Sequence, residues 1–320
     1  FDLTSSGKEV RAMKREKSDD ASIRRIFRDH PSLMNRIEWV KGDLTDFFSL
    51  EDAMENIDLV YNCAGFISFF QSDKALLQKI NVEGTANLVN IALDKGIKKL
   101  LHVSSVAALG RTSDGRVIDE KNQWKPSKYN SNYAISKYGG EREIWRGTEE
   151  GLNAVIVNPT IILGTGNWST GSSHLFSSIY KGLPFYSEGI NGYVDVRDVS
   201  SFSIALMEGD FVNQRYILSS GNYSYHDLFY MIADALGKKR PYIPVQPWMA
   251  KLVWRSGSLL TLFTGKKSMI TKETAQSGIE KWEYKNDKVR KALNREFIPV
   301  KEAIEHTAKK FLEEITSGRS

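Results

Sequence analysis

The residues of this chain best equipped for chemistry are Tyr133, Lys137 and Ser105. Tyr133-Ala-Ile-Ser-Lys137 sets a phenol and an amine four residues apart, and residues 132–146 lack Pro and are rich in Glu, Lys and Arg, which predicts a helix. On a helix the two side chains lie one turn apart on the same face. A phenol near its reference pKa of about 10 is a poor base at neutral pH, and an ammonium group one turn away favours the phenolate. The pair therefore suits acid/base work on a proton. Ser105, in Val103-Ser104-Ser105, supplies a hydroxyl able to hold a substrate oxygen. The same spacing also occurs as a plain helix-surface pair, because short motifs recur by chance. The surrounding elements decide between the two.

Strand and helix signals alternate from the start of the chain to about residue 160, the pattern of a parallel sheet with crossover helices. Val10–Lys14, 37–40, Leu59–Asn62, Lys99–Val103 and 154–157 are short apolar or β-branched runs and read as strands. Helices are predicted at 21–28, 50–54, 74–94 and 133–150, the third closed by Gly96. In such sheets ligands sit beyond the carboxyl ends of the strands. Asp43, residues 62–65, Ser104, Ser105 and residues 158–160 all fall there. After Thr160 turn residues crowd 164–171, short strands such as 215–218 alternate with helical pieces, and a charged amphipathic helix spans 300–314. The expected architecture is an α/β fold with a doubly wound parallel sheet in 1–160. A smaller lobe in 161–320 is expected to send segments back to the first domain.

A chain of 320 residues, 41% apolar and 26% charged, is long enough for a full core and a second lobe. Its formal charge of +5 raises nucleic acid as a partner, but pairs such as Lys98-Lys99 and Lys266-Lys267 sit among acidic residues and read as solvated faces. No nucleic-acid partner is expected. The single cysteine, Cys63, excludes an intramolecular disulfide and any cysteine-based zinc cluster, so no metal is expected and the cytoplasm is the default compartment. Residues 248–263 are interrupted by Lys251 and Arg255, too charged to span a bilayer. With Trp248, Trp254, Leu259, Leu260 and Phe263 beside Lys266 and Lys267, the stretch either rests on a membrane surface or packs as a helix of the smaller lobe.

Seven blocks stand in order along the chain: Gly42-Asp-Leu-Thr-Asp46, Asn62-Cys-Ala-Gly65, Asn81-Val-Glu-Gly-Thr85, Val103-Ser-Ser105, Tyr133-Ala-Ile-Ser-Lys137, Asn158-Pro159 with Gly164, and Val194-Asp-Val-Arg-Asp-Val199. Together they resemble the extended short-chain dehydrogenase/reductase family, in the branch of dihydroflavonol reductase-like and 3β-hydroxysteroid dehydrogenase-like proteins. Tyr284-Lys-Asn-Asp-Lys288 with Leu293 and Pro299 fits the family's C-terminal pattern.

The resemblance implies a Rossmann domain and a nicotinamide cofactor. It places Asp43 and Leu44 at the adenine, and Cys63, Ala64 and Gly65, all small, where backbone approaches the cofactor. Cys63 reads equally as a small apolar residue without thiol chemistry. Ser104, Asn158, Pro159, Thr160 and Ile161 are implied along the nicotinamide side, with Tyr133 and Lys137 also touching cofactor. Asn81 is implied either as a catalytic residue near Lys137 or as a structural one. Phe66, Ser105, Asn158 and Arg197 are candidates for substrate contact, Arg197 having the alternative of a structural pair with Asp195 or Asp198. Met13-Lys14-Arg15 ends the strand at which NAD enzymes usually place an acidic residue, so NADP(H) is the expected cofactor, with NAD(H) possible. Arg15 can grip a 2′-phosphate with two donors while Lys14 adds charge.

The expected activity is hydride transfer between NADP(H) and a ketone or secondary alcohol on a largely apolar small molecule, with Tyr133 as acid/base. Phe66, Ile67, Phe69 and Phe70, with Trp168, Tyr186 and Trp248, point to an aromatic or polycyclic substrate, or else belong to the core. The alternatives are a nucleotide-sugar epimerase or dehydratase, and a silent cofactor-binding regulator. A homodimer through helices 74–94 and 133–150 is implied, with Leu76, Leu77, Ile80, Leu88, Ile144 and Trp145 on their outer faces save those turned to the sheet. One departure stands out: the family's first strand and Gly-x-x-Gly-x-x-Gly turn belong ahead of the helix ending near Gly7, yet the sequence opens at Phe1. A preceding piece is expected. Without it the sheet has a gap and no helix N-terminus receives the pyrophosphate, so cofactor binding and activity would both be in doubt.

Overall fold

The computed structural model describes residues 1–18, 20–111, 117–127, 130–246, 248–249 and 278–317. Of the 248–263 stretch only its first two residues are among them. Trp254, Leu259, Leu260 and Phe263, with Lys266 and Lys267, lie outside the described residues.

The first half runs α1 (Asp2–Ser5), β1 (Val10–Lys14), α2 (Ala21–Ile26), α3 (Pro31–Met34), β2 (Ile37–Lys41), α4 (Phe47–Ala53), β3 (Leu59–Asn62), α5 (Lys74–Gln78), α6 (Gly84–Asp94), β4 (Lys99–Val103), α7 (Asn132–Glu149) and β5 (Ala154–Pro159). Every strand expected up to residue 160 is present, and the pairings among them are parallel. β4 and β5 are buried almost throughout, as strands covered on both faces must be. Leu100, Leu101, Val155 and Val157 show no exposed surface, each contributing roughly 1.5–3 kcal/mol through burial. The predicted helix 74–94 divides: α5 passes through a π turn, Lys79–Glu83, into α6. Gly96, at φ +64°, closes it as expected.

The sheet is in two pieces. β1 and β2 form one ladder and β3-β4-β5-β9 another, where β9 is Gln214–Leu218. Among the described residues nothing pairs with the free edges of β1 and β3, and Leu59 on β3 is 43% exposed. Residues 215–218, grouped with the smaller lobe at the level of sequence, instead extend this sheet in parallel beside β5. Tyr216, Ile217 and Leu218 bury almost completely there.

The second half adds β6 (Ile161–Leu163), α8 (His174–Tyr180), β7 (Phe185–Tyr186), β8 (Ile190–Asp195), α9 (Val196–Glu208), β10 (Gly221–Ser224), α10 (Tyr225–Ala235), β11 (Ile243–Pro244), α11 (Asp287–Leu293) and α12 (Val300–Thr316). β8 pairs in parallel with β6 and antiparallel with β10. α12 is the amphipathic helix expected from the sequence, burying Val300, Ala303, Ile304, Thr307, Ala308 and Phe311 at helical spacing. They meet Leu163, Trp168, Phe176, Leu228 and Ile232 in a core separate from the two that sandwich the large sheet.

α7 lies against the π turn and α6 at very short range. A Cβ on Gly140 would collide with the Asn81 carbonyl oxygen, and one on Gly147 would sit 2.6 Å from Val89 Cγ1. Of the side chains expected on the outer helix faces, Leu77, Leu88 and Ile144 are buried in the core, Ile80 and Trp145 are half-buried, and Leu76 is exposed.

Candidate active site

Ser131 caps α7, its hydroxyl accepting from the Ala134 amide at 3.0 Å, which places Tyr133 in the first helical turn. Ser105 follows β4 in extended conformation and caps the short 3₁₀ turn Val106–Leu109, accepting from the Ala107 amide at 3.2 Å. The two hydroxyls meet: Ser105 hydrogen-bonds the Tyr133 phenol. Burial raises the phenol's pKa above its ordinary value, and the Ser105 bond only partly opposes this. The phenol is thus protonated at neutral pH, whereas the spacing of Tyr133 and Lys137 alone suggested a stabilised phenolate. Desolvation outweighs the Ser105 hydrogen bond.

Lys137 lies one turn further along α7 and is 7% exposed. Its ammonium donates to the Val103 carbonyl at 2.9 Å. Burial lowers its pKa to about 8, with Glu141 and Cys63 opposing the fall. Gly65 brings backbone to the same spot: a Cβ there would stand 3.5 Å from Asn81 Oδ1 and 3.6 Å from Lys137 Nζ. Cys63, Ala64 and Gly65 are exposed at the end of β3.

Asn81 uses its whole side chain on the protein. Its Oδ1 accepts from the Phe66 amide at 2.7 Å, while Nδ2 donates to the Phe66 carbonyl at 2.9 Å and to the Ser136 hydroxyl at 2.9 Å. It is a clamp on the loop after β3. That loop carries Phe69 to the phenol, edge to face at 5.7 Å between centroids. Phe66 is half-buried beside it and Ile67 is 66% exposed.

Behind Ser105 lies a buried polar network. Ser104 donates to Glu141 Oε2 at 2.9 Å, and Asn158 Nδ2 donates both to that oxygen at 2.9 Å and to the Ser105 carbonyl at 2.9 Å. Asn158 has no exposed surface, so its amide supports Ser105 from beneath. Pro159 and Thr160 are likewise buried, Thr160 bonded to the Leu218 carbonyl, and Ile161 is half-buried. The sequence reading overlooked Glu141 and Arg215, which pair at 3.0 Å. Glu141 was within reach, since it repeats the four-residue step from Tyr133 to Lys137; Arg215 was not.

At the far end of the sheet, Asp43 Oδ1 accepts from the Thr45 amide and hydroxyl at 2.9 and 2.8 Å, which holds its carboxyl below the usual range. Leu44 is buried against α6. Lys14 is engaged, its ammonium 2.6 Å from Asp20 and lying over Trp39. Arg15 is exposed, close enough to Asp43 to lower that carboxyl's pKa. Arg197 forms a two-pronged pair with Asp195, at 3.0 and 2.6 Å, at the start of α9. The residues present fit the nicotinamide and adenosine ends of a dinucleotide: a small-residue approach at 63–65 beside Lys137, and an exposed arginine beside Asp43. Residues 1–320 contain no Gly-x-x-Gly-x-x-Gly turn for the pyrophosphate. No group of His, Cys, Asp or Glu able to hold a metal occurs among the described residues, and none of their helices is long and apolar enough to cross a membrane.

The model of the NAD dependent epimerase/dehydratase family matches residues 2–216. The chain belongs to this family, the extended short-chain dehydrogenases/reductases, and is an NAD(P)-dependent enzyme. It is 30% identical over 259 residues to a Synechocystis protein named "Putative dihydroflavonol 4-reductase", covering 77% of this chain and 71% of that one. Over 288 residues it is 24% identical to cinnamoyl-CoA reductase 1 of Petunia hybrida, covering 87% and 78%. Among solved structures, the UDP-glucose 4-epimerase of Thermotoga maritima with UDP-glucose superposes with a TM-score of 0.77 over 98% of this chain and 94% of that one. At 18% identity that likeness is one of fold.

Proposed function

We propose that this enzyme is an NADP(H)-dependent oxidoreductase interconverting a ketone and a secondary alcohol on a largely apolar small molecule, with residues 161–320 forming most of the substrate side. The observation that carries this reading is the meeting of Ser105, Tyr133 and Lys137 beneath the aromatic loop that Asn81 clamps. A bound nicotinamide supplies hydride to the carbonyl carbon or removes it from the carbinol. Tyr133, held protonated, gives its proton to the oxygen as charge develops there, and Ser105 holds that oxygen. The resting enzyme is poised for reduction. Lys137 presents its ammonium below pH 8 to the cofactor ribose and the phenol. Phe69 and Phe66 offer the substrate apolar surface.

The family description and the fold of the Thermotoga epimerase support a second reading, a nucleotide-sugar epimerase or dehydratase. A diphosphate needs free cationic or backbone donors, and Arg197 is already met by Asp195. A thermal-shift screen of the full-length protein with NADPH decides between them. Stabilisation by aromatic or polycyclic ketones is expected. Stabilisation by UDP- or GDP-sugars alone reverses the order of the two readings, and no turnover with either class leaves the silent regulator.

Cofactor choice rests on Arg15. Because Lys14 is committed to Asp20, Arg15 carries the 2′-phosphate, and a charge-assisted hydrogen bond contributes roughly 1.5–3 kcal/mol. Full-length protein is expected to bind NADPH at least about tenfold more tightly than NADH in calorimetric titration. Arg15→Ala should remove most of that difference and Lys14→Ala much less. Equal wild-type affinities would sink the assignment.

A further inference from the structure

Glu141 is 1% exposed, and the chemistry above gives it no part. It stands one turn beyond Lys137 on the stripe of α7 that Tyr133 begins, so phenol, ammonium and carboxylate follow at steps of four. One carboxylate oxygen gathers Ser104 and Asn158, and the Asn158 amide passes the contact to the Ser105 carbonyl. The other oxygen meets Arg215, whose guanidinium is fixed in turn by the Glu120 and Asn122 carbonyls. A buried carboxylate survives only with such partners. Its placement between Arg215 and the reacting residues gives it two consequences: it ties down Ser105, and it faces Lys137 with negative charge.

We propose that Glu141 is the positioning residue of this site, its Arg215-held carboxylate fixing the Ser105 backbone through Asn158 and presenting a fixed counter-charge one helical turn from Lys137. This rests on the reading of Ser105, Tyr133 and Lys137 as the reacting set. The other groups facing Lys137 add no opposing charge. Although residue 63 is open at the surface, protein packed around its sulfur desolvates the Cys63 thiol, after β3, and holds it above its ordinary pKa, while burial holds His102, on β4, well below its own, so both are neutral; the Tyr133 phenol is protonated. Around Arg215 stand Glu120 and, on α11, Lys288.

The test begins without cofactor or substrate. In protein labelled with 13C-lysine, with the Lys137 Cε resonance assigned by Lys137→Arg, wild type should titrate near the pKa of about 8 that burial imposes. Glu141→Gln keeps the shape and an acceptor but removes the charge, and should lower that midpoint by about one unit. The high-pH limb of kcat/KM for ketone reduction should move the same way, a loss of about tenfold above pH 8. Glu141→Asp keeps the charge but withdraws it from Asn158, so the Lys137 midpoint should hold while kcat falls more than KM rises. An unmoved midpoint in folded Glu141→Gln overturns the proposal, as does an Asp variant that shifts the midpoint as far as Gln does. If Glu141→Gln yields no folded protein by circular dichroism, Glu141→Asp decides, and an unchanged kcat overturns it. A failed reaction assignment appears separately, as full turnover in Tyr133→Phe.

Discussion

Tyr133→Phe is expected to lower turnover by roughly 10²–10⁴-fold while leaving cofactor affinity nearly unchanged. The substitution deletes the hydroxyl that meets Ser105 and keeps the ring that packs edge-on against Phe69 at 5.7 Å. Packing is preserved, so the melting temperature should move little. The lost group is the one that carries the proton, and the Ser105 hydroxyl, an alcohol less acidic than a phenol, is a poor substitute as the acid. Steady-state kinetics on any ketone found by the screen, with calorimetry for the cofactor, checks both halves. Wild-type turnover in this variant removes the proposed mechanism.

Lys137→Met should depress turnover and cofactor affinity together, because Lys137 stands one helical turn from Tyr133 on α7 and its ammonium lies beside the exposed backbone at 63–65. Stability should follow a different course. Burial drives the folded-state pKa from 10.5 down to about 8, so the folded protein releases this proton more readily than the unfolded chain. Between those two values the unfolded state binds more protons, and the contribution of Lys137 to stability rises with pH. The melting temperature of wild type relative to Lys137→Met should therefore climb from about pH 8 to pH 10.5. A wild-type melting temperature that stays level or falls relative to Lys137→Met across this window would show that Lys137 is not desolvated in the folded protein.

The parts of the site written locally were legible in the sequence. Tyr133 and Lys137 share a face because a helix repeats every 3.6 residues, and Ser104 and Ser105 mark a strand end because an apolar run stops there. The order of the strands to residue 160 followed from the same kind of local signal. Other features needed the chain to close on itself. The Asn81 amide finds the backbone of Phe66 fifteen residues earlier, which no spacing rule announces. Lys14 looked available for a phosphate until Asp20 was found beside it. Residues 215–218 read as any short apolar strand and were placed in the sheet by the open edge of β5.

By itself, then, the sequence determined which groups are present, which helix carries the phenol and amine, and the α/β class with its family. It did so because hydrophobic periodicity and turn chemistry act over a few residues. Only the tertiary structure decided how those groups behave. It withdrew the Tyr133 phenol and Lys137 ammonium from water, moving their pKa values apart in opposite directions, and it brought Arg215 across 74 residues of chain to the Glu141 carboxylate. Desolvation and long-range pairing depend on what surrounds an atom in space, and that is fixed only when the packing is complete.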